Sequence, residues 1–309
     1  MKYEIISDYT IKDLGVIEED VYDLEIEDDH NFFGNDILLH NSIFLNFDEV
    51  IQKRYKENYD ETPMEEKRDF VKKISKDLVD PIIKDYYENL TDSLNCPDNT
   101  LDMEMEAISD KSLFVAKKKY VMNLIHNDGY DIDSGSELKI RGMEIIRTST
   151  PKVIREELKK ATNIILYSEN NDDLINFVKD FKKKFYKMPF EDIAFPRGVK
   201  FSDYVFGGKG VPIHVRSSFV FNNALKKYGL NQIEPIRNAD KIKFCYIKEP
   251  NVFHSNVIGC LEKMPPSLSE KFLIDYETQF EKTCISPLKL MIESMGWTTE
   301  QSTSMSDLW

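Results

Sequence analysis

LFVAKKKYVMNLIHNDG, residues 113–129, decides the class of fold. Leu113 to Ile125 reads as a strand, and Asn127-Asp128-Gly129 reads as a hairpin turn, because Asn, Asp and Gly tolerate the left-handed backbone that tight turns need. A second strand-like stretch precedes it at Leu101 to Ile108. Further upstream, Ser42-Ile43-Phe44-Leu45-Asn46-Phe47 has strand character. A helix is expected from Thr62, with Pro63 at its first position and Glu65 completing a capping box. Its apolar face runs through Phe70, Val71, Ile74 and Leu78; Pro81 bends or restarts it, and Ile82, Ile83, Tyr86 and Tyr87 continue the face. Helices followed by antiparallel strands give an α+β layer.

Downstream, Thr150-Pro151 marks another helix start, with Val153, Ile154 and Leu158 as its apolar face. The remainder reads as mostly helical, including Leu174 to Tyr186 and Pro266 to Met295, with a strand near Lys241 to Ile247. Three domains are expected: a small β-rich segment at 1–41, a partial antiparallel sheet at 42–142, and a helical domain at 143–309.

Charge supports the first boundary. Residues 1–41 hold two lysines against twelve acidic residues, a charge of −10, which leaves −4 of the chain's −14 for residues 42–309. Basic runs at Lys117-Lys118-Lys119 and Lys182-Lys183-Lys184 suit a localised nucleic-acid track, although a lysine run on a strand or helix is equally a solvated face. Cys96, Cys245, Cys260 and Cys284 have neither zinc-site spacing nor the density of a disulfide scaffold, so they read as reduced packing residues and imply no metal. No stretch has the roughly 18 consecutive apolar residues of a membrane helix, and Met1 to Tyr9 lacks secretory character. The expectation is a cytoplasmic protein with no membrane partner.

The leading segment carries its own chemistry. Val21 to Ile26 alternates as a half-buried strand does, and Gly34-Asn35-Asp36 separates two short strands that end at His40-Asn41-Ser42. So short a segment needs outside help to fold. An asparagine carboxamide can attack its own main-chain carbonyl, cleaving the next peptide bond as a succinimide closes. A neighbouring imidazole assists, and a following hydroxyl can accept an acyl chain. Alone, His-Asn-Ser is also an ordinary strand end. The run Val21-Tyr22-Asp23-Leu24, Asp29-His30-Asn31-Phe32 and His40-Asn41-Ser42 resembles the C-terminal splicing motif of inteins. The resemblance implies that Asn41 cyclises, that Ser42 takes over the upstream flank by ester exchange, and that His40, His30 and Asp23 assist, without a cofactor. The N-terminal intein half, with its first nucleophile, is absent, so the resemblance points to a split intein whose other half is on a partner.

Three stretches after Asn41 resemble, in order, family B DNA polymerases of the large tailed-phage type. Ser42-Ile43-Phe44-Leu45 is similar to the continuation of their Asp-Thr-Asp-Ser motif, with the aspartates missing. Ala116-Lys117-Lys118-Lys119-Tyr120 is similar to their Lys-Lys-x-Tyr strand beside the primer end. Lys139 to Glu144 with Arg147 to Lys152 is similar to the passage from palm to thumb. Residues 42–142 would then be the C-terminal part of the palm and 143–309 the thumb. The resemblance implies primer–template contacts by Lys117, Lys118, Lys119, Tyr120, Lys139 and Arg147. It implies Mg2+ in the assembled enzyme, held by carboxylates of an N-terminal polymerase fragment; Glu106 falls near that centre and is assigned no metal. Ser304 to Trp309 resembles a tail that docks on a sliding clamp through Met305, Leu308 and Trp309; a tail folded back on the chain is the other reading. The chain alone should not polymerise. A rival reading is a DNA-holding and clamp-tethering subunit that is never ligated, with residues 1–41 as a docking arm.

Overall fold

The computed structural model describes residues 31–34, 37–40, 44–93, 95, 103–201 and 204–299. The fold is α+β. Contacts divide the chain into two units, Met1–Asp110 with Asn123–Glu137, and Lys111–Met122 with Leu138–Trp309.

In the first unit, β1 (Asn31–Gly34) and β2 (Ile37–His40) pair antiparallel, with Gly34 opposite Ile37 and Asn31 opposite His40. The strand expected across Ser42–Phe47 is not formed in its described part: residues 44–47 are irregular, and Asn46 Oδ1 accepts the Asp48 N–H at 2.9 Å to open α1 (Asp48–Tyr55). An asparagine whose side chain bonds the N–H two residues ahead offers the backbone a local alternative to the strand. Helix α2 (Met64–Ile74) follows Pro63, as expected, but no side chain caps it. The capping box fails because the Thr62 hydroxyl donates to the Asn58 carbonyl at 2.7 Å instead. A π-helical turn at Ser75–Val79 leads into α3 (Asp80–Ser93), where Pro81 sits at the second position and its missing N–H costs little.

The central sheet contains β3 (Ala107–Ala116), β4 (Lys119–Asn127), β5 (Tyr130–Asp131) and β6 (Glu137–Arg141); β4 pairs with all three others. The turn read from Asn127-Asp128-Gly129 is present, with Asp128 at φ +46° and Gly129 at +86°, the two left-handed residues such a hairpin requires. Two strand expectations need correction. Residues 103–106 lie outside the ladder: β3 begins at Ala107, and opposite Glu106 the partner strand has already entered the turn at Asp128, whose N–H the Glu106 carbonyl accepts. The stretch 113–125 is not one strand: it folds back at Lys117-Lys118.

Asp131 ties α2 to this sheet. It accepts from His126 Nδ1 at 2.7 Å, pairs with Arg68 Nη2 at 3.3 Å, and bonds the Lys72 ammonium. The Lys72 bond, then that of His126, holds its carboxyl down at about 2. Apolar packing in this unit is modest, joining buried Val71, Ile108 and Ile125 with half-buried Phe47, Ile51 and Met105.

The second unit has a large core. Helices α4 (Lys152–Tyr167), α5 (Asp172–Phe185) and α6 (Phe190–Ile193) precede strand β7 (Phe195–Gly198). After α7 (Ile213–Lys227), β8 (Lys241–Tyr246) and β9 (Val257–Cys260) complete an antiparallel sheet in the order β7-β8-β9. Helices α8 (Pro266–Ser269), α9 (Tyr276–Phe280) and α10 (Ser286–Ser294) follow. The mostly helical stretch expected over Pro266–Met295 forms as separate helices, because Ile274 bridges to Ile247 and Asp275 caps α9 by accepting the Thr278 N–H at 3.1 Å.

Fully buried Phe185 meets Phe280 edge to face at 5.2 Å, and buried Gln279 is satisfied by the Ile193 carbonyl at 2.6 Å and the Tyr246 N–H at 3.0 Å. Cys245, Cys260 and Cys284 are free and buried, and burial raises each thiol, the last two to about 12. Cys96 lies outside the described residues.

Candidate nucleic-acid interface

The candidate interface centres on a two-residue turn. Lys117 and Lys118 join β3 to β4, with Lys118 at φ +58°, and Lys119 opens β4. Two of the three lysines therefore sit at a hairpin tip rather than on a strand face. A left-handed lysine is uncommon and costs about 1 kcal/mol or more, so the surroundings must hold it. Gly142 does so. It lies at φ +68°, and a Cβ built there would fall 2.1 Å from the Lys118 carbonyl oxygen and 3.0 Å from Lys119 Cγ. Only glycine permits that approach of backbone to backbone. Two stretches separated in sequence, Ala116–Tyr120 and Lys139–Glu144, are thus brought together. Val121, Ile140, Met143 and Ile145 anchor them in one core.

Above those anchors the tip presents rings and cations. Tyr120, half-buried, packs against Phe114 with ring centroids 5.5 Å apart, and Phe114 keeps 51% of its surface exposed. Sequence reasoning passed over Phe114 and gave Gly142 no role. The signal was available for Phe114, an apolar ring two residues before the lysine run. For Gly142 it was not, since nothing local shows which backbone comes close.

Lys139 is half-buried on β6. Arg147 is exposed at the end of a short 3-10 turn and pairs with Glu144 at 3.5 Å. An exposed pair of this kind contributes about 0–1 kcal/mol, so a phosphate competes for the guanidinium easily. Thr150 pins the passage by donating to the Glu144 carbonyl at 3.0 Å just before α4.

The lysine run of α5 is used differently. Lys182 donates to Glu277 at 2.8 Å, Tyr186 donates to the other oxygen of the same carboxylate, and Lys183 pairs with Asp180 at 2.9 Å. The Lys182 bond lowers the Glu277 carboxyl, and the same bond raises the Lys182 ammonium. Two of these three lysines pair with carboxylates of their own chain, and both pairs are solvent-exposed.

Asp23, His30, Asn41, Ser42, Met305, Leu308 and Trp309 lie outside the described residues, and of His40 only the backbone at the end of β2 is described. Glu106 is exposed, and its carbonyl accepts the Asp128 N–H at 2.9 Å. Among the described residues no group of three or more His, Cys, Asp or Glu side chains could hold a metal ion. Among them too, no helix is long and apolar enough to cross a membrane.

Comparison with known proteins bears on what this arrangement serves. The chain is 28% identical over 291 residues to the DNA-directed DNA polymerase of Enterobacteria phage T4, covering 86% of this chain and 31% of that protein. It is similar to DNA polymerases over most of its length. The DNA-directed DNA polymerase of Escherichia phage RB69 is 24% identical over 283 residues with the same coverage. A DNA polymerase of Thermococcus litoralis is 26% identical over 176 residues, 56% of this chain and 8% of that protein. The chain therefore spans about a third of the length of the phage polymerases it matches. No family model matches it.

Proposed function

We propose that residues 42–309 are the C-terminal part of a family B replicative DNA polymerase, the end of the palm and the thumb, which holds primer–template duplex. The observation that carries this reading is the Gly142-locked tip. It puts Lys117 and Lys118 at a hairpin tip, with half-buried Lys119 and Tyr120 opening the strand that leaves it, in a chain similar to phage DNA polymerases over 86% of its length. Lysines at such a turn neutralise phosphates, and the Tyr120–Phe114 pair offers flat apolar surface to a base-pair edge. Lys139 and Arg147 extend the cationic surface. The Mg2+ ions of the assembled enzyme belong to carboxylates on the N-terminal polymerase segment, and they supply charge neutralisation during nucleotidyl transfer. Met305, Leu308 and Trp309 tether the enzyme to a sliding clamp. The work takes place in the cytoplasm, that of a bacterial host if the source is viral.

Residues 1–41 act before this, as the C-terminal half of a split intein. Supporting this is the His40-Asn41-Ser42 junction within its wider motif; the 86% of the chain shared with the phage polymerases is also close to the fraction that follows Asn41. Asn41 cyclises and releases residues 1–41, after Ser42 Oγ has accepted the N-terminal polymerase segment; an acyl shift then leaves a peptide bond. Mixing the chain with a polymerase fragment ending in Asp-Thr-Asp and an N-terminal intein half should give a ligated product that extends primers. Asn41→Ala should block release of the 41-residue segment. Release unchanged by that substitution defeats the splicing role; extension by the purified chain alone defeats the assignment of metal ligands to the partner.

A further inference from the structure

Helix α3 is amphipathic, yet none of its residues is buried. Val79, just before it, and Ile82, Ile83, Tyr86, Tyr87 and Leu90 recur at three- and four-residue spacing, the pattern of a face that packs on something. Ile82 is 68% exposed and Tyr86 61%, and Leu78 is 60% exposed. Single exposed apolar residues are ordinary on protein surfaces; a contiguous helical stripe of them marks an interaction face. Among the described residues, the unit that carries α3 has a small apolar cluster. Its packed cluster centres on three buried residues, Val71, Ile108 and Ile125. The edges of the stripe are acidic, with Asp80, Asp85, Glu88 and Asp92 against Lys84.

What the face lacks is indicated by what the chain does not match. About two-thirds of each phage relative's sequence has no counterpart in this chain. We propose that Leu78, Ile82 and Tyr86 form the docking face for the polypeptide that makes up the rest of such a polymerase, with an apolar contact surface rimmed by basic side chains. The inference rests on the proposed polymerase function, and it holds whether that polypeptide is later ligated to Ser42 or stays separate. It also assigns α3 an assembly role distinct from the DNA-facing turn.

The test pairs the full chain with the polymerase fragment from the same genome that ends in Asp-Thr-Asp. A double variant, Ile82→Glu with Tyr86→Lys, is compared with Leu273→Glu, which alters an exposed leucine of the other unit. Affinity should fall roughly tenfold or more for the double variant and stay unchanged for the control. Circular dichroism should be unaltered in both, and α3 amides should gain hydrogen-exchange protection when the fragment binds.

Wild-type affinity in the double variant overturns the proposal, even if primer extension shows that the polymerase reading stands. Binding that depends on Ile82 and Tyr86 without any primer extension supports the docking face and defeats the polymerase reading. Strong protection of α3 in the isolated monomer would mean that this chain's own residues 1–41 cover the face. A dimer of the isolated chain that the double variant dissolves would mean a second copy does. Either result overturns the proposal.

Discussion

Helices α3 and α4 are alike in length and apolar spacing, but α4 buries Ile154, Leu158, Ala161 and Ile165, while α3 buries nothing. Helix α4 belongs to a unit with an aromatic core around Phe181, Phe185 and Phe280; among the described residues of the unit that carries α3, the packed apolar cluster is small and Asp131 adds a charge hub. Periodicity tells which face of a helix is apolar. It does not tell which polypeptide supplies the other half of the contact.

The contrast can be broken from either side. Phe185→Ala removes a fully buried ring from the closed core and should cost about 3–5 kcal/mol in the isolated chain, read as a drop in denaturant midpoint. Gly142→Ala should cost about 2–3 kcal/mol, because the new methyl meets the Lys118 carbonyl and the residue must hold a positive φ; weaker duplex binding should accompany it. Val71→Ala, in the open unit, should cost only about 1 kcal/mol alone, and more once the polymerase fragment is bound, by the same assay. If Val71→Ala were as damaging as Phe185→Ala in the isolated chain, the distinction between the units would fail.

Two smaller effects sharpen it. Lys119→Ala should reduce the slope of log affinity against log salt for duplex DNA by about 1, whereas Lys183→Ala, on α5 outside the proposed duplex contact, should leave the slope nearly unchanged. Asp131 gives a pH signature. Its carboxyl is held at about 2 in the fold against an ordinary 3.8, so the stabilisation it gives is complete above about pH 4 and disappears as pH falls toward 2. Hydrogen exchange in α2 should accelerate over that interval, and Asp131→Asn should abolish the acid-dependent part. Identical pH profiles for the variant and the natural sequence would remove the hub from the account.

Local signals were legible where local chemistry decides the structure. Asp128-Gly129 could form a tight turn only as a left-handed pair, Pro151 preceded a helix, and β8 formed at the strand-like stretch near Lys241. The lysine turn was hidden, since Lys118 adopts a backbone that lysine rarely chooses and is held there by Gly142, more than twenty residues away. The break at Asp275 was hidden for a similar reason: Ile274 leaves the helical path to reach Ile247, a contact no window of sequence contains. Of the candidate interface, the types and order of the cationic residues could be seen in the sequence; the placing of Lys117 and Lys118 at a hairpin tip, and the pairing of Lys182 with Glu277, were matters of tertiary geometry.

Close contact at Gly142 has a mechanical corollary. With carbonyl against α-carbon and no side chain between them, the loop that would grip a duplex cannot slide over the strand leading into α4. Any tug exerted there by a bound helix of DNA is handed directly to the base of the helical domain, which should follow it as a rigid lever.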